Sequence, residues 1–245
     1  MSFRLLVVAC LIFLSGCAVY SPTVPSTPLV QKGEVEVTAS TRTLLSLDGS
    51  VAYSPVHHLL LSGEGAIRQG GGNKLVNGVK TEFTDIHRQA SLGIGAYHEF
   101  GPDGIFYAAA MGGVGMAAVN VHNGLLGTLS EYTANYTRYY GQVYVAHRGQ
   151  FFSGGLSMRV NWLAFNSLLL DNVPVAPIAR SYFEPSLFLR AGQGALQGQL
   201  TLGISLPDRP SSAYDANSLA AKSSLVSVGL VFRPALINKQ GDDAP

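Results

Sequence analysis

The stretch "FFSGGLSMRVNWLAF" alternates through its middle, from Leu156 to Trp162. Phe152, Gly154, Leu156, Met158, Val160, Trp162 and Ala164 fall on one side of an extended chain, and Ser153, Gly155, Ser157, Arg159 and Asn161 on the other. A period of two marks a β-strand, whose successive side chains point to opposite faces of a sheet. The alternation returns in "LQGQLTLGISL", with Leu196, Leu200, Leu202, Ile204 and Leu206 opposite Gln197, Gln199, Thr201 and Ser205. From Glu34 to Phe232 no helical periodicity competes with it.

Punctuation by Gly, Pro, Asn and Asp divides this region into strands at 34–41, 44–54, 57–68, 82–99, 104–118, 134–147, 151–165, 179–191, 195–206 and 222–233. The junctions near "YSPVHH", "FGPDGI", "HRGQFF" and "RAGQGAL" are tight, whereas "QGGGNKLVNGVKT", "NVHNGLLGTLSEYTAN", "NSLLLDNVPVAPI" and "PDRPSSAYDANSLAAK" are long. A meander with these connections has every tight turn at one end and every long loop at the other. The expected fold is therefore all-β, an up-and-down antiparallel β-barrel of about ten strands.

Charge placement decides which face meets what. Only 13% of residues are charged, about half the usual share for a soluble domain. Lysine is nearly absent from the strands, and the polar faces are built largely from Gly, Ser, Thr and Gln. Glu64, Arg68, Arg138, Arg159, Glu184 and Arg190 lie on the polar parity, where opposite charges pair across a narrow lumen. Tyr97, Phe100, Phe106, Phe151, Phe152, Trp162, Phe165, Tyr182 and Phe183 fall mostly toward strand ends, as interfacial girdles do. The barrel is accordingly expected to be transmembrane. Two strands fit poorly: "GIFYAAAMGGVGMAAV" is small and apolar on both faces, which suits packing against a neighbour or a plug, and Arg88 occupies a greasy parity.

The N-terminus has Arg4, an apolar run from Leu5 to Leu14 and then "SGC" ending at Cys17, the order of an export signal too short to span a membrane comfortably. "LSGC" resembles a bacterial lipobox. That resemblance implies removal of residues 1–16 and acylation of Cys17, with Ala18 resembling the residue that follows the lipid in outer-membrane lipoproteins. Residues 17–33, with Pro22, Pro25 and Pro28, then read as an extended lipidated tether able to span about 50 Å. The barrel occupies 34–233 and a tail 234–245. Cys10 leaves with the signal, so no thiol remains for a disulfide, a metal or catalysis. Loss of Arg4 leaves the remaining Lys and Arg matched one for one by the acids, and such a chain offers no basic surface for nucleic acid.

The last strand, "SLVSVGLVF", alternates to a terminal aromatic and resembles the signal read by outer-membrane insertion machinery, although "RPALINKQGDDAP" follows it. With "LSGC", "KGEVEVTAS" and "GSVAYSPVHHLLLSGEGAI", the chain resembles bacterial outer-membrane β-barrel-like lipoproteins of unassigned function over residues 14–68. This resemblance implies a location and a meander, and carries no catalytic residue across.

The remaining candidates are two histidines at a turn and one acid–base pair. His57 and His58 are adjacent, so their side chains diverge and poorly share an ion; no metal and no cofactor are expected. Asp85 and His87 share a face and could serve a hydrolase as orienter and base, but no G-x-S-x-G nucleophile motif accompanies them. The 28 glycines lack a strand-to-helix phosphate loop. The expected partners are membrane lipid, through acylated Cys17, and the insertion machinery, with no protein partner identified. The role expected is structural, binding or surface-recognising and non-enzymatic. The alternatives are a lipid-anchored soluble barrel facing the periplasm and binding a small apolar ligand, or an outer-membrane hydrolase.

Overall fold

A computed structural model describes residues 20–42, 46–76, 79–122, 131–176, 179–208 and 223–236. Cys17, the signal 1–16 and tail residues 237–245 lie outside the described residues. The strands are β1 (Val35–Thr41), β2 (Ser46–Tyr53), β3 (Leu59–Val76), β4 (Val79–Phe100), β5 (Phe106–His122), β6 (Tyr132–Arg148), β7 (Phe152–Leu170), β8 (Val173–Pro174), β9 (Ala179–Ala191), β10 (Leu196–Pro207) and β11 (Ser223–Phe232). All neighbours are antiparallel, and β1 pairs with β11 to close the sheet. Because β8 pairs only with the end of β7, while β9 pairs with the rest of it, ten strands make the wall. Closure removes the unpaired edges that would otherwise recruit another chain.

The tight connections, 54–58, 101–105, 149–151 and 192–195, share one end. Residues in the left-handed region collect there, among them His58 (φ 66°) and Gly101 (φ 81°), as sharp reversals require. At the opposite end the barrel is taller than the alternation predicts. The glycine run in "QGGGNKLVNGVKT" is no loop: Gly70, Gly71 and Gly72 pair with Asp85, Thr84 and Phe83, and the ladder runs on to Val76 and Val79. β5 and β7 also outrun their expected ends. In β7 an extra residue, Asn166, separates the Tyr136–Phe165 pair from the Asn135–Ser167 pair. This bulge switches the inward parity from odd residues to Leu168.

The wall is inverted relative to a water-soluble barrel. Leu92, Met116, Val143, Leu156, Trp162, Val228 and Leu230 are exposed on the outside, whereas Glu36, Asp48, Glu64, Arg138, Arg159, Glu184 and Arg190 are buried within. Phe100, Phe106, Phe151 and Phe152 face outward near the tight turns, and Trp162 and Phe183 face outward farther along. Tyr97, Phe165 and Tyr182, grouped with them by position along the strands, turn inward and are buried.

The small residues of β5 have a specific use. A Cβ on Gly113 would lie 2.4 Å from the Tyr140 ring and 2.3 Å from the Leu92 carbonyl oxygen. The missing side chain is what lets Tyr140 lie flat across the sheet. Gly113→Ala is expected to destabilise the barrel by roughly 1–3 kcal/mol, the usual effect of overpacking. Gly141→Ala, where an added Cβ meets nothing within 4 Å, should leave the unfolding midpoint in denaturant nearly unchanged. Equal midpoints for the two variants would refute this packing argument.

Candidate functional site

Residues 20–30 are buried inside the barrel. The segment read from its prolines as an outside tether is extended, as composition predicts, but it runs through the lumen. Its entry is fixed at the tight-turn end, where the Gly33 N–H donates to the Ser54 carbonyl (2.6 Å) and the Ser54 N–H to that of Glu34 (3.2 Å). From there it runs back to the long-loop end, where Tyr20 packs among Tyr136, Phe165, Leu163 and Tyr182.

A chain without secondary structure in a narrow, side-chain-filled channel needs side-chain partners for its amides. Inward carboxylates take the N–H groups: Val24 donates to Asp48 (3.2 Å), Ser26 to Glu64 (3.1 Å), Leu29 to Glu36 (3.2 Å) and Gln31 to Glu34 (3.0 Å). The carbonyls accept from Gln89 at Ser21 (2.8 Å), Arg42 at Pro22, Gln142 at Ser26 (2.7 Å), Arg190 at Thr27 (2.8 Å), Tyr144 at Pro28 (2.6 Å) and Tyr107 at Val30 (3.3 Å). Pro22, Pro25 and Pro28 have no N–H to satisfy. Their spacing of three matches the turn of a polyproline helix, so the donor-free positions share one edge.

At mid-height Glu64 is the hub. It accepts from Arg138 (3.1 Å) and from Arg159, and both guanidinium groups also donate to Thr23 Oγ1 (2.7 and 3.1 Å). Both lie over the Tyr140 ring, at 5.2 and 4.8 Å from its centroid, which adds cation–π attraction in a desolvated place. Lower down, Arg190 forks onto Glu36 through two 2.9 Å hydrogen bonds, the bidentate geometry that favours arginine over lysine. Glu184 accepts from Tyr20 (2.8 Å), Asn161 (2.8 Å) and Ser205 (2.9 Å). Apolar layers cap this polar middle. One surrounds Tyr20; the other joins Leu29 and Val30 to Leu60, Tyr97, Tyr107, Tyr144 and Phe188. The void beside Val24–Thr27 is about 10 Å³, roughly one water.

Of the residues singled out by sequence for the lumen, Glu64, Arg138, Arg159, Glu184 and Arg190 are buried there and Arg68 is half-buried near the long-loop end. Sequence reasoning missed Glu36, Asp48, Arg42, Gln89, Gln142 and Tyr144. The first two lie on the same parity as the residues chosen, so alternation alone could have found them. Asp85 and His87 are buried together, His87 Nε2 lying 3.2 Å from an Asp85 oxygen while Arg68 holds the other. Among the described residues no hydroxyl is placed against His87 Nδ1, so the pair is an acid and a base without a nucleophile. His57 and His58 are exposed at a tight turn, His58 Nδ1 lying 3.0 Å from the Tyr97 carbonyl oxygen. No cluster of three metal-ligating side chains occurs among the described residues. Compared with known proteins, the chain matches no family model and no curated sequence.

Proposed function

We propose that this chain is a lipid-anchored outer-membrane β-barrel whose own N-terminal segment seals its lumen, and that its role is structural, binding or surface-recognising, without catalysis. The observation that supports this is the inverted wall. Each large apolar side chain left in water forfeits about 1.5–3 kcal/mol, and here such residues line the outside of the wall while Glu36, Asp48, Glu64, Arg138, Arg159, Glu184 and Arg190 are buried within it. On β6 the outward positions read Val145, Val143, Gly141 and Tyr139 before changing to Thr137, Asn135 and Thr133. On β4 the change comes between Ala90 and the exposed Arg88. About nine residues of tilted strand is the length that crosses a hydrocarbon layer. Beyond the band, β3 to β7 continue as a polar-sided projection toward the long loops, the surface best placed to meet a partner.

The interior argues against the apolar-ligand alternative, because the middle of the lumen is polar and filled. Asp85 and His87 give little to the hydrolase alternative, since Arg68 holds one Asp85 oxygen, His87 Nε2 lies against the other and no hydroxyl among the described residues meets His87 Nδ1.

The test replaces Cys17 with serine. The variant is expected to stay with outer membranes through high-salt and alkaline washing and, unheated, to migrate in detergent gels as a compact form that heating converts to the unfolded one. Release by washing, together with no compact form, would show that the lipid alone holds the protein to the membrane.

A further inference from the structure

The path of the lumen segment fixes the end of the barrel from which its N-terminus leaves. β1 starts at the tight-turn end, where Val35 pairs with Tyr53 just before the 54–58 turn. Tyr20 lies at the other end, packed on Tyr136 and Tyr182. The stretch from Tyr20 to Val30 covers about 34 Å at ~3.1 Å per residue, one thickness of a bilayer core. Cys17 is three residues before Tyr20, a reach of at most ~11 Å. A lipid on Cys17 therefore cannot return to the tight-turn end.

The rim at the long-loop end has a low side. β1 and β2 stop at Thr41 and Ser46, whereas β3 and β4 continue to Val76 and Val79. Arg42 stands at this step and holds the segment as it leaves, donating to Ser21 Oγ (3.2 Å), to the Pro22 carbonyl and to Asp48 (2.8 Å). On the outer wall beside the step is an apolar groove of about 680 Å³, lined by Leu47, Ile67, Ala90, Met116 and Ala118, with Arg88 at its edge.

We propose that the barrel carries its own lipidated N-terminus across the membrane, so that the acyl chains of Cys17 pass over the β1–β2 step and lie against the Leu47–Ile67–Met116 groove, in the leaflet on the long-loop side. The inference rests on the lipoprotein reading above. With tight turns toward the periplasm, as outer-membrane barrels have them, that leaflet is the outer one, and the protein is anchored at the cell surface rather than from beneath. The short reach beyond Tyr20 and the position of its end select this occupant over a second chain.

The test labels single cysteines in the full-length lipidated chain on intact cells, with a membrane-impermeant maleimide. Val19→Cys reports the N-terminus, Leu75→Cys the long-loop end and Val56→Cys the tight-turn end; Leu75 and Val56 are exposed. The expected result is comparable labelling of Val19→Cys and Leu75→Cys on intact cells, with Val56→Cys reached only after permeabilisation. Val19→Cys behaving like Val56→Cys while Leu75→Cys does the opposite would overturn the crossing and leave the membrane barrel standing. Leu75→Cys and Val56→Cys behaving alike would overturn the membrane barrel itself, and the leaflet assignment with it. An independent check is a short bis-maleimide on Ser26→Cys with Gln142→Cys, residues in contact inside the lumen. Cross-linked peptides are expected, and their absence in folded protein with both thiols reactive would refute the threaded path.

Discussion

Glu64→Ala is expected to cost the barrel its compact, heat-resistant form. Among the described residues Glu64 is the one carboxylate bonded to both Arg138 and Arg159, and all three side chains are almost fully buried. Removing one partner of a buried ion pair typically costs about 3–5 kcal/mol, because the charge left behind has lost both water and its counterion. Here two guanidinium groups are left together, and the Ser26 N–H loses its acceptor as well. Against a total stability of about 5–15 kcal/mol for an ordinary domain, that is a large share. A contrasting pair shows that burial, rather than pairing as such, sets the effect. His122 and Glu131 are 2.7 Å apart with side chains about half and a third exposed (49% and 30%), and loss of such a solvent-screened contact changes stability by at most about 1 kcal/mol. Urea unfolding in detergent micelles compares Glu64→Ala with Glu131→Ala. A large drop in midpoint for the first and almost none for the second is expected; similar midpoints would show that the lumen network contributes no more than a surface contact.

What was legible in the sequence was what period two encodes. Met158 outward and Arg159 inward follow from parity once one face is known to be apolar, and so does the burial of Glu64 and Glu184. Three things escaped it, each for a physical reason. Gly70–Gly72 carry no side chains to alternate, so strand and loop look the same there, and the ladder to Asp85, Thr84 and Phe83 is made by backbone alone. The bulge at Asn166 resets parity by one, which a fixed period cannot follow.

The third was the lumen segment. Its Pro, Ser and Thr content reports an extended conformation but not what surrounds it, and a segment that buries all its faces has no amphipathic signature. The clue lay elsewhere, in an excess of inward polar residues. Asp48, Gln89, Gln142 and Arg190 are too many for a narrow lumen to satisfy among themselves, and they call for a backbone to bond. The same demand explains why β5 is small and apolar on both sides: its inward Ala109, Gly113 and Ala117 leave room that Tyr140 and the lumen segment occupy.

A chain that begins at Gln31, and so lacks the lumen segment, is expected to conduct ions where the full chain is silent. Eight strands enclose an interior just wide enough for side chains to fill, and sixteen an open channel. Ten strands lie just above the lower limit, and the surplus here is about the width of one extended peptide. Removing that peptide takes partners from Glu36, Asp48, Glu64 and Arg190, and groups that hydrogen-bond so strongly are re-satisfied at lowest free energy by water. The opposing tendency is for Tyr107, Tyr144 and Phe188 to fall into the gap left by Leu29 and Val30. The Arg190–Glu36 fork and the Glu64 hub resist this, since collapse would desolvate charges further. Planar-bilayer recordings decide between the two, with heat-modifiable migration showing that the shortened barrel has folded. Because inward arginines and carboxylates are nearly balanced, the current should discriminate weakly between cations and anions. The peptide SPTVPSTPLV, residues 21–30, should block it where a scrambled version does not. A folded but silent barrel would mean that the side chains close the lumen unaided, and that the segment serves to carry the N-terminus rather than to seal a pore.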